Sequence, residues 1–270
     1  MLDGRSAVET GCPVGDADLP SQSDKARKPV LIVLHQSHSN PGHVGQWFRR
    51  HGYPLDIRRH FDGQPLPATL RDHCGAVIFG GPQSANDNHD YIRREVEWVG
   101  VALKEKAPFL GICLGAQMLA HHLGARVDHC PEGRVEIGYH PIRTTDTGLA
   151  IGGFPRHVFQ WHREGFDLPR GADLLAAGEG AYPNQAFRFG EAAFGVQFHP
   201  EITYAQVNRW SGGNPMRLLM RGAQPRQSQI EGHLMLAGHV HTWLDRFLAQ
   251  WVANMGRAAH ASPVARGISF

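Results

Sequence analysis

A cysteine flanked by glycines, between a strand-like run and a helix-like run, constrains this chain more than any other stretch. Residues 108–112 are apolar and typical of a buried strand, residues 111–115 read Gly-Ile-Cys-Leu-Gly, and an apolar-periodic helix follows. The pattern G-x-C-x-G there is the thiol form of a nucleophile elbow, a sharp turn that needs small neighbours. Cys113 would face the positive end of the helix, which favours a thiolate. The stretch predicts a catalytic thiol; a small buried cysteine between incidental glycines is the alternative, because the chain has 32 glycines.

Length and composition place the chain among soluble globular proteins. Its 270 residues allow one large domain or two small ones, and 41% are hydrophobic against 19% charged. The net charge of +2 gives no argument for a nucleic acid or an anionic membrane as a partner. No apolar run approaches the roughly 20 residues of a membrane span. We therefore expect neither nucleic acid nor membrane among the partners.

Cysteine usage and the N-terminal sequence indicate a reducing compartment. The four cysteines have no C-x-x-C or zinc-ribbon spacing, and the N-terminus is acidic and lacks the apolar core of a secretory signal. We expect a cytoplasmic protein. Two histidine groups, at 121–122 and 233–241, invite a metal site, but no carboxylate completes a ligand set at helical spacing. Neither a metal nor a cofactor is expected.

The order of apolar segments in the first half predicts an α/β fold with a doubly wound parallel sheet. Strands are predicted at 29–34, 54–58, 72–79 and 108–112, and helices at 44–51 and 91–106. Ligands of such sheets bind beyond the carboxyl ends of the strands. Cys113 and the Gly-Gly-Pro sequence at 80–82 both lie at that edge.

The second half predicts short antiparallel strands and a long closing helix. Strands are predicted near 127 and at 135–138, 139–143, 157–162, 174–178, 185–189 and 193–198. The apolar stripe of a helix at about 231–255 is expected to cover the sheet, with a partner-binding helix as the alternative. Residues 29–255 form the predicted domain, between a disordered leader at 1–28 and a loose tail at 256–270.

A thiol nucleophile needs a base with an orienting partner, and His199 and Glu201 fit these roles. The predicted strand at 193–198 delivers His199 to the sheet edge, and Glu201, two residues on, is positioned to orient the imidazole. The chain has 18 histidines, so His-Pro-Glu alone is weak evidence. Together with G-x-C-x-G it is stronger.

Backbone amides near Cys113 are candidates for an oxyanion hole. Glycines let the backbone approach a tetrahedral intermediate, and Gly80 and Gly81 follow a predicted strand. The amide of Leu114, directly after the nucleophile, is the expected second donor. An ordinary strand-to-loop turn is the alternative for Gly-Gly-Pro.

Three motifs in this order and spacing resemble the signatures of class I (triad-type) glutamine amidotransferases. They are Gly-Gly-Pro-Gln-Ser at 80–84, Gly-Ile-Cys-Leu-Gly-Ala-Gln at 111–117 and Gly-Val-Gln-Phe-His-Pro-Glu at 195–201. The resemblance spans about residues 30–205 and implies a flavodoxin-like α/β fold with a small antiparallel sheet and flanking helices. It also implies that Cys113 attacks the side-chain amide of glutamine, giving a γ-glutamyl thioester and ammonia. His199 would then act as base and acid, oriented by Glu201.

The same resemblance implies further site residues. Gly81 and Leu114 would supply the oxyanion amides, and Gly80 and Gln117 would help hold the glutamine. Residues 161–169 are similar to a Trp-His-Gly-Asp…Leu-Pro pattern of stand-alone GMP-synthetase-like members, which places His162 near the substrate mouth. Here Arg-Glu replaces Gly-Asp at 163–164.

Three functions remain open from the sequence. The chain lacks the Gly-rich phosphate loop of a GMP synthetase, which favours a glutaminase unit that feeds ammonia to a separate synthetase. A γ-glutamyl peptidase or hydrolase would use the same thioester, with water completing the reaction. A non-catalytic, amidotransferase-like regulatory or binding protein is the third, and the intact Cys113, His199 and Glu201 argue against it.

Overall fold

One central sheet runs through the protein, and its first half is parallel. The computed structural model describes residues 27–260, with side chains for 27–253. Nine strands form the sheet, in the order β2-β1-β3-β4-β11-β10-β9-β6-β7. The parallel half, in spatial order, comprises β2 (Leu55–Arg58), β1 (Val30–Val33), β3 (Gly75–Ile78), β4 (Phe109–Ile112) and β11 (Ala193–Val196). The predicted α/β fold with a parallel sheet is confirmed.

Helices cover both faces of the parallel half, as its sequence requires. Every residue of β1, β3, β4 and β11 is buried, so both faces need apolar partners. One face packs on α1 (Gly42–Arg50) and α7 (Arg226–His260), and the other packs on α2 (Asp90–Lys104) and α3 (Leu114–His122). Trp243, Phe247 and Trp251 of α7 are buried in the first of these cores. The apolar stripe of α7 therefore covers the sheet, as the sequence predicts.

The antiparallel half continues from β11 and carries the predicted strands of the second half of the chain. It consists of β10 (Asn184–Phe189), β9 (Ala172–Gly178), β6 (Glu136–Thr144) and β7 (His157–His162). A separate small antiparallel sheet pairs β5 (Val127–His129) with β8 (Glu164–Phe166).

The prediction of two strands at 135–138 and 139–143 is wrong, because β6 is one continuous strand. Gly138 adopts φ +108° inside the strand. The side chain of Gln224 accepts a hydrogen bond from the Tyr139 amide at 2.9 Å and donates one to the Tyr139 carbonyl at 2.6 Å. A glycine that suggests a turn in sequence is here a local irregularity satisfied by a distant glutamine.

The three remaining helices of the described chain are short. They are α4 (Asp146–Leu149), α5 (Tyr204–Gly213) and α6 (Pro215–Leu218), and a 3₁₀ turn lies at His60–Asp62. The helix α7 starts before and ends after the predicted 231–255, and continues into the predicted tail. Most of the predicted leader, and residues 261–270 of the tail, lie outside the described residues. Within 27–260, none of the helices combines the length and apolar character that crossing a membrane requires.

Gly115→Ala is expected to destabilise the fold, whereas Gly238→Ala is expected to stabilise it. Both add one methyl group to a helix. A Cβ at Gly115 would lie 2.1 Å from the Ile78 carbonyl oxygen, and a Cβ at Gly238 would meet nothing within 4 Å. We expect Gly115→Ala to lower the free energy of unfolding by about 3 kcal/mol and Gly238→Ala to raise it by about 1 kcal/mol. Urea unfolding of both variants tests this; equal effects would contradict the close contact between α3 and β3.

A histidine cluster between α1 and α7 predicts loss of stability in acid. The rings of His43 and His241 are 3.8 Å apart, with His233 6.3 Å from His241. Burial, then His241, His233 and Arg50, lower the pKa of His43 to about 4, against a smaller opposing effect of Asp245. The pKa values of His233 and His241 are also lowered, first by burial. The unfolded chain therefore binds more protons, so stability falls as the pH drops from about 6.5 towards 4.

His43→Gln tests this cluster through the pH dependence of unfolding. Urea unfolding at pH 7.5 and pH 5 should show a smaller difference for His43→Gln than for the wild type. The exposed His121→Gln is the control and should keep the wild-type difference. An unchanged difference in His43→Gln would exclude His43 as the acid-sensitive group.

Candidate active site

Cys113 occupies a strained turn between β4 and α3. Its backbone has φ 50° and ψ −105°, a left-handed conformation that a non-glycine residue rarely adopts. Its amide donates to the Val196 carbonyl at 2.8 Å, which anchors the turn to β11. A Cβ at Gly111 would lie 2.4 Å from the Gly115 carbonyl oxygen, so the two glycines allow the chain to turn this sharply. The structure thus has the elbow that the sequence predicts.

His199 and Glu201 leave the same sheet edge as Cys113. The strands β4 and β11 are parallel neighbours, with Ile112 opposite Val196. The His199 amide donates to the Phe159 carbonyl at 2.8 Å, and His199 Nδ1 lies 2.8 Å from Glu201 Oε1. Both side chains are buried, and both line a cavity together with Cys113. The structure therefore brings these three predicted residues together.

Two negative groups stabilise a charged His199. Burial alone lowers the pKa of this imidazole, but the Glu201 carboxylate and the Cys113 thiolate outweigh burial and raise it well above its ordinary value. No described residue forms a hydrogen bond with His199 Nε2. A positive imidazole beside the thiol favours the thiolate, so these three groups are arranged to supply a nucleophile and a proton donor.

The Gly-Gly-Pro loop adjoins the thiol and the imidazole. A Cβ at Gly80 would lie 2.7 Å from His199 Cε1 and 3.3 Å from Cys113 Cβ, so only glycine fits. The backbone amides of Gly81 and Leu114 donate no hydrogen bond to any described residue. Both amides belong to segments that flank Cys113, so they are available to a ligand there.

A buried histidine–glutamate pair supports this loop, and the sequence analysis does not predict it. His35, two residues after the end of β1, lies 2.7 Å from Glu95 Oε2 through Nε2 and 3.3 Å from the Gly80 carbonyl through Nδ1. Both side chains of the pair are fully buried. A Cβ at Gly81 would lie 2.6 Å from His35 Cβ. The one sequence signal is a glutamate at a helix position whose neighbours in the 3.6 period, Ile92 and Val99, are apolar.

Gln117 and His162 are buried beside the elbow. Gln117 is buried, and its amide donates to the Glu164 carbonyl at 2.8 Å. His162 Nδ1 lies 2.9 Å from the same carbonyl, and its Nε2 is 3.2 Å from Glu136 Oε2. Both residues line a small recess that also reaches Cys113. Their visible contacts hold β8 and its loop against the elbow.

The main cavity beside Cys113 is closed partly by α5 and α6. Its volume is about 310 Å³. The aromatic rings of Trp161 and Trp210 form one wall, 5.8 Å apart, and the loop after β1 forms another. Arg209 and Arg217 also line it. The sequence analysis does not predict α5 or α6. The sequence signal for the start of α5 is a capping box formed by Thr203 and Gln206.

Comparison with known proteins gives one consistent family. Residues 45–208 match the model of the family described as glutamine amidotransferase class-I. The chain is 34% identical over 188 residues to a glutamine amidotransferase-like protein, YfeJ, of Salmonella typhimurium, covering 66% of this chain and 77% of that protein. It is 35% identical over 153 residues to a GMP synthase of Porphyromonas gingivalis, covering 55% of this chain and 29% of the synthase. The chain thus spans less than a third of that synthase.

Solved structures agree in fold. A glutamine amidotransferase from Methylobacillus flagellatus superposes with a TM-score of 0.78 at 25% identity, covering 90% of this chain and 100% of that one. A glutamine amidotransferase from Thermotoga maritima gives a TM-score of 0.74 at 29% identity, covering 83% of this chain and 97% of that one. The similarity in fold extends over most of the chain.

Glu201→Gln is expected to slow alkylation of Cys113 near neutral pH. The substitution removes a negative charge that raises the His199 pKa, so the imidazole loses its proton at lower pH and stabilises the thiolate less. We expect the rate of reaction with iodoacetamide at pH 7 to fall about tenfold and to regain speed as the pH rises.

Other cysteines and other glutamates provide the controls. The Cys113→Ala protein measures the alkylation that comes from the other cysteines. Burial raises the pKa of Cys74 to about 12, so this thiol should contribute little to the alkylation rate. The exposed Glu191→Gln should react like the wild type. If Glu201→Gln kept the wild-type pH profile, Glu201 would not control the charge of His199.

Proposed function

This chain belongs to the class-I glutamine amidotransferase family, and from that premise we propose that it hydrolyses the side-chain amide of glutamine through a thioester on Cys113. The observation that carries the proposal is the contact of His199 with Glu201 beside a thiol held on a strained elbow. Products are glutamate and ammonia. The ammonia is available to a separate synthetase, which would be the acceptor.

In the first half of the reaction, the thiolate of Cys113 attacks the γ-carbonyl carbon, and a carbon–sulfur bond forms. The charge that develops on the carbonyl oxygen is stabilised by the amides of Gly81 and Leu114. The protonated His199 gives its proton to the leaving nitrogen, so ammonia departs and the γ-glutamyl thioester remains. Glu201 holds the imidazole through Nδ1, which leaves Nε2 for this transfer.

In the second half, His199 acts as the base. It takes a proton from water, and the resulting hydroxide attacks the thioester carbonyl. Collapse of the intermediate breaks the carbon–sulfur bond, releases glutamate and regenerates Cys113. The same two amides stabilise the second oxyanion, so one arrangement serves both steps.

A γ-glutamyl peptidase is the second candidate, and the cavity beside Cys113 is compatible with it. The cavity holds about 310 Å³, and it must take the glutamyl unit together with any leaving amine. A γ-glutamyl peptide would place its leaving amine there and follow the same thioester chemistry. A non-catalytic binding role is disfavoured, because it would have no need of a strained cysteine with an imidazole beside it.

Cys113→Ala should abolish ammonia release from glutamine, because no other described group is placed to form the thioester. Coupled glutamate dehydrogenase detects the ammonia, and a glutamine-mimicking electrophile should no longer label the protein. Full turnover by Cys113→Ala would show that the nucleophile is a different group.

Glutamine and a γ-glutamyl dipeptide should be assayed side by side. A glutaminase unit predicts turnover of glutamine that a synthetase partner increases. Rapid cleavage of the dipeptide with negligible turnover of glutamine would select the peptidase instead. Turnover of neither substrate, together with no electrophile labelling, would support the non-catalytic role.

A further inference from the structure

Arg217 differs from the other partly buried arginines that the structure describes, which are Arg58, Arg59 and Arg188. Arg58 and Arg188 pair with carboxylates, and Arg59 donates to the Ser39 carbonyl at 3.5 Å. Arg217 is half-buried, yet among the described residues its guanidinium has neither a carboxylate within 4 Å nor a hydrogen bond. A partly desolvated cation without a counter-charge is costly, so its position calls for an anionic partner.

Arg217 lines the two spaces that flank the thiol. The one-turn helix α6 begins with Pro215 at its first position and is capped by Asn214, whose side chain accepts from the Arg217 amide at 3.3 Å. Arg217 lines both the main cavity and the small recess, and Cys113 also lines both. It therefore stands where the two spaces that flank the nucleophile meet.

The charged residues around Arg217 favour binding of an anion beside it. Burial and the neighbouring Arg163 lower the pKa of Arg217, while Cys113 raises it. Arg163 is exposed, lines the small recess and has no carboxylate within 4 Å among the described residues. The buried acids of this region already have partners. Glu201 contacts His199, Glu164 accepts from Ser84 Oγ at 3.0 Å, and Glu136 accepts from Gln185 at 2.9 Å.

We infer that Arg217 is a specificity-determining residue that binds a carboxylate of the substrate beside Cys113. The inference rests on the proposed function, because the substrate is a γ-glutamyl compound. A planar guanidinium forms two parallel hydrogen bonds to a carboxylate, a geometry that lysine does not reproduce. Two carboxylates of such substrates fit this chemistry: the α-carboxylate of the glutamyl unit, and a carboxylate on the leaving group.

Four substrates distinguish these sources in a kinetic test of Arg217→Ala. Glutamine and γ-glutamyl ethylamide carry the α-carboxylate alone, γ-glutamylglycine carries both carboxylates, and glutaminamide carries neither. If Arg217 binds the α-carboxylate, kcat/KM falls about ten- to hundredfold for the first three and stays unchanged for glutaminamide. If it binds the leaving group, only γ-glutamylglycine loses rate.

Two further variants separate charge from shape and from general effects. Arg217→Lys should recover only part of the lost kcat/KM, since it keeps the charge and loses the paired hydrogen bonds. The exposed Arg221→Ala, four residues on, should behave as the wild type. Equal losses on all four substrates would overturn the inference, since Arg217 would then act on the thiol. No loss on any of them would overturn it as well.

A binding measurement keeps this inference separate from the proposed function. Calorimetry of the Cys113→Ser protein with L-glutamate and with γ-glutamylglycine measures affinity without turnover. Adding Arg217→Ala should weaken binding of at least one probe about tenfold or more. If the wild type turned over no substrate, the proposed function would fail, and Arg217-dependent binding would still support the carboxylate site. Binding that is absent or independent of Arg217 would overturn the inference.

Discussion

The backbone conformation of Cys113 is the constraint on which the rest of the site depends. A left-handed residue of this kind costs about 1–3 kcal/mol and persists only where its surroundings enforce it. Here β4 is hydrogen-bonded to β3 on one side and to β11 on the other, and α3 packs on the sheet through close glycine contacts. The packed core therefore holds Cys113 in its strained conformation. Its thiol lies at the same sheet edge as His199.

Buried pairs of histidine and glutamate recur around this elbow. Glu201 contacts His199, Glu95 contacts His35, and Glu136 approaches His162. Each pair joins a different part of the fold, and two of them also touch a backbone carbonyl of a site loop, at Gly80 or Glu164. A buried polar group that loses its hydrogen-bond partner is costly. These pairs therefore hold the segments around Cys113 in place.

Sequence patterns predicted the parts of this fold that are stabilised locally. The strands of the parallel half are continuous apolar runs, and the elbow and the His-Pro-Glu turn carry their own short signals. The adjacency of β4 and β11, about 80 residues apart in sequence, came from the pairing of motifs rather than from any local pattern. The continuity of β6 was missed because it depends on Gln224, and α5 and α6 were missed because they bury few apolar residues.

The residues at the sheet edge and those on α5 and α6 are stabilised by different contacts. The groups that we propose form and break bonds lie at the edge of a sheet that is buried on both faces. Arg209, Trp210 and Arg217 lie on α5 and α6, which are held by the side-chain caps of Thr203 and Asn214 and by few core residues such as Val207. Trp210 also packs edge-on against His199, with the ring centroids 5.0 Å apart, so its substitution would disturb the imidazole. We expect substitutions at Arg209 or Arg217 to change the cavity wall, and with it the substrate preference, while the proposed thioester chemistry stays the same.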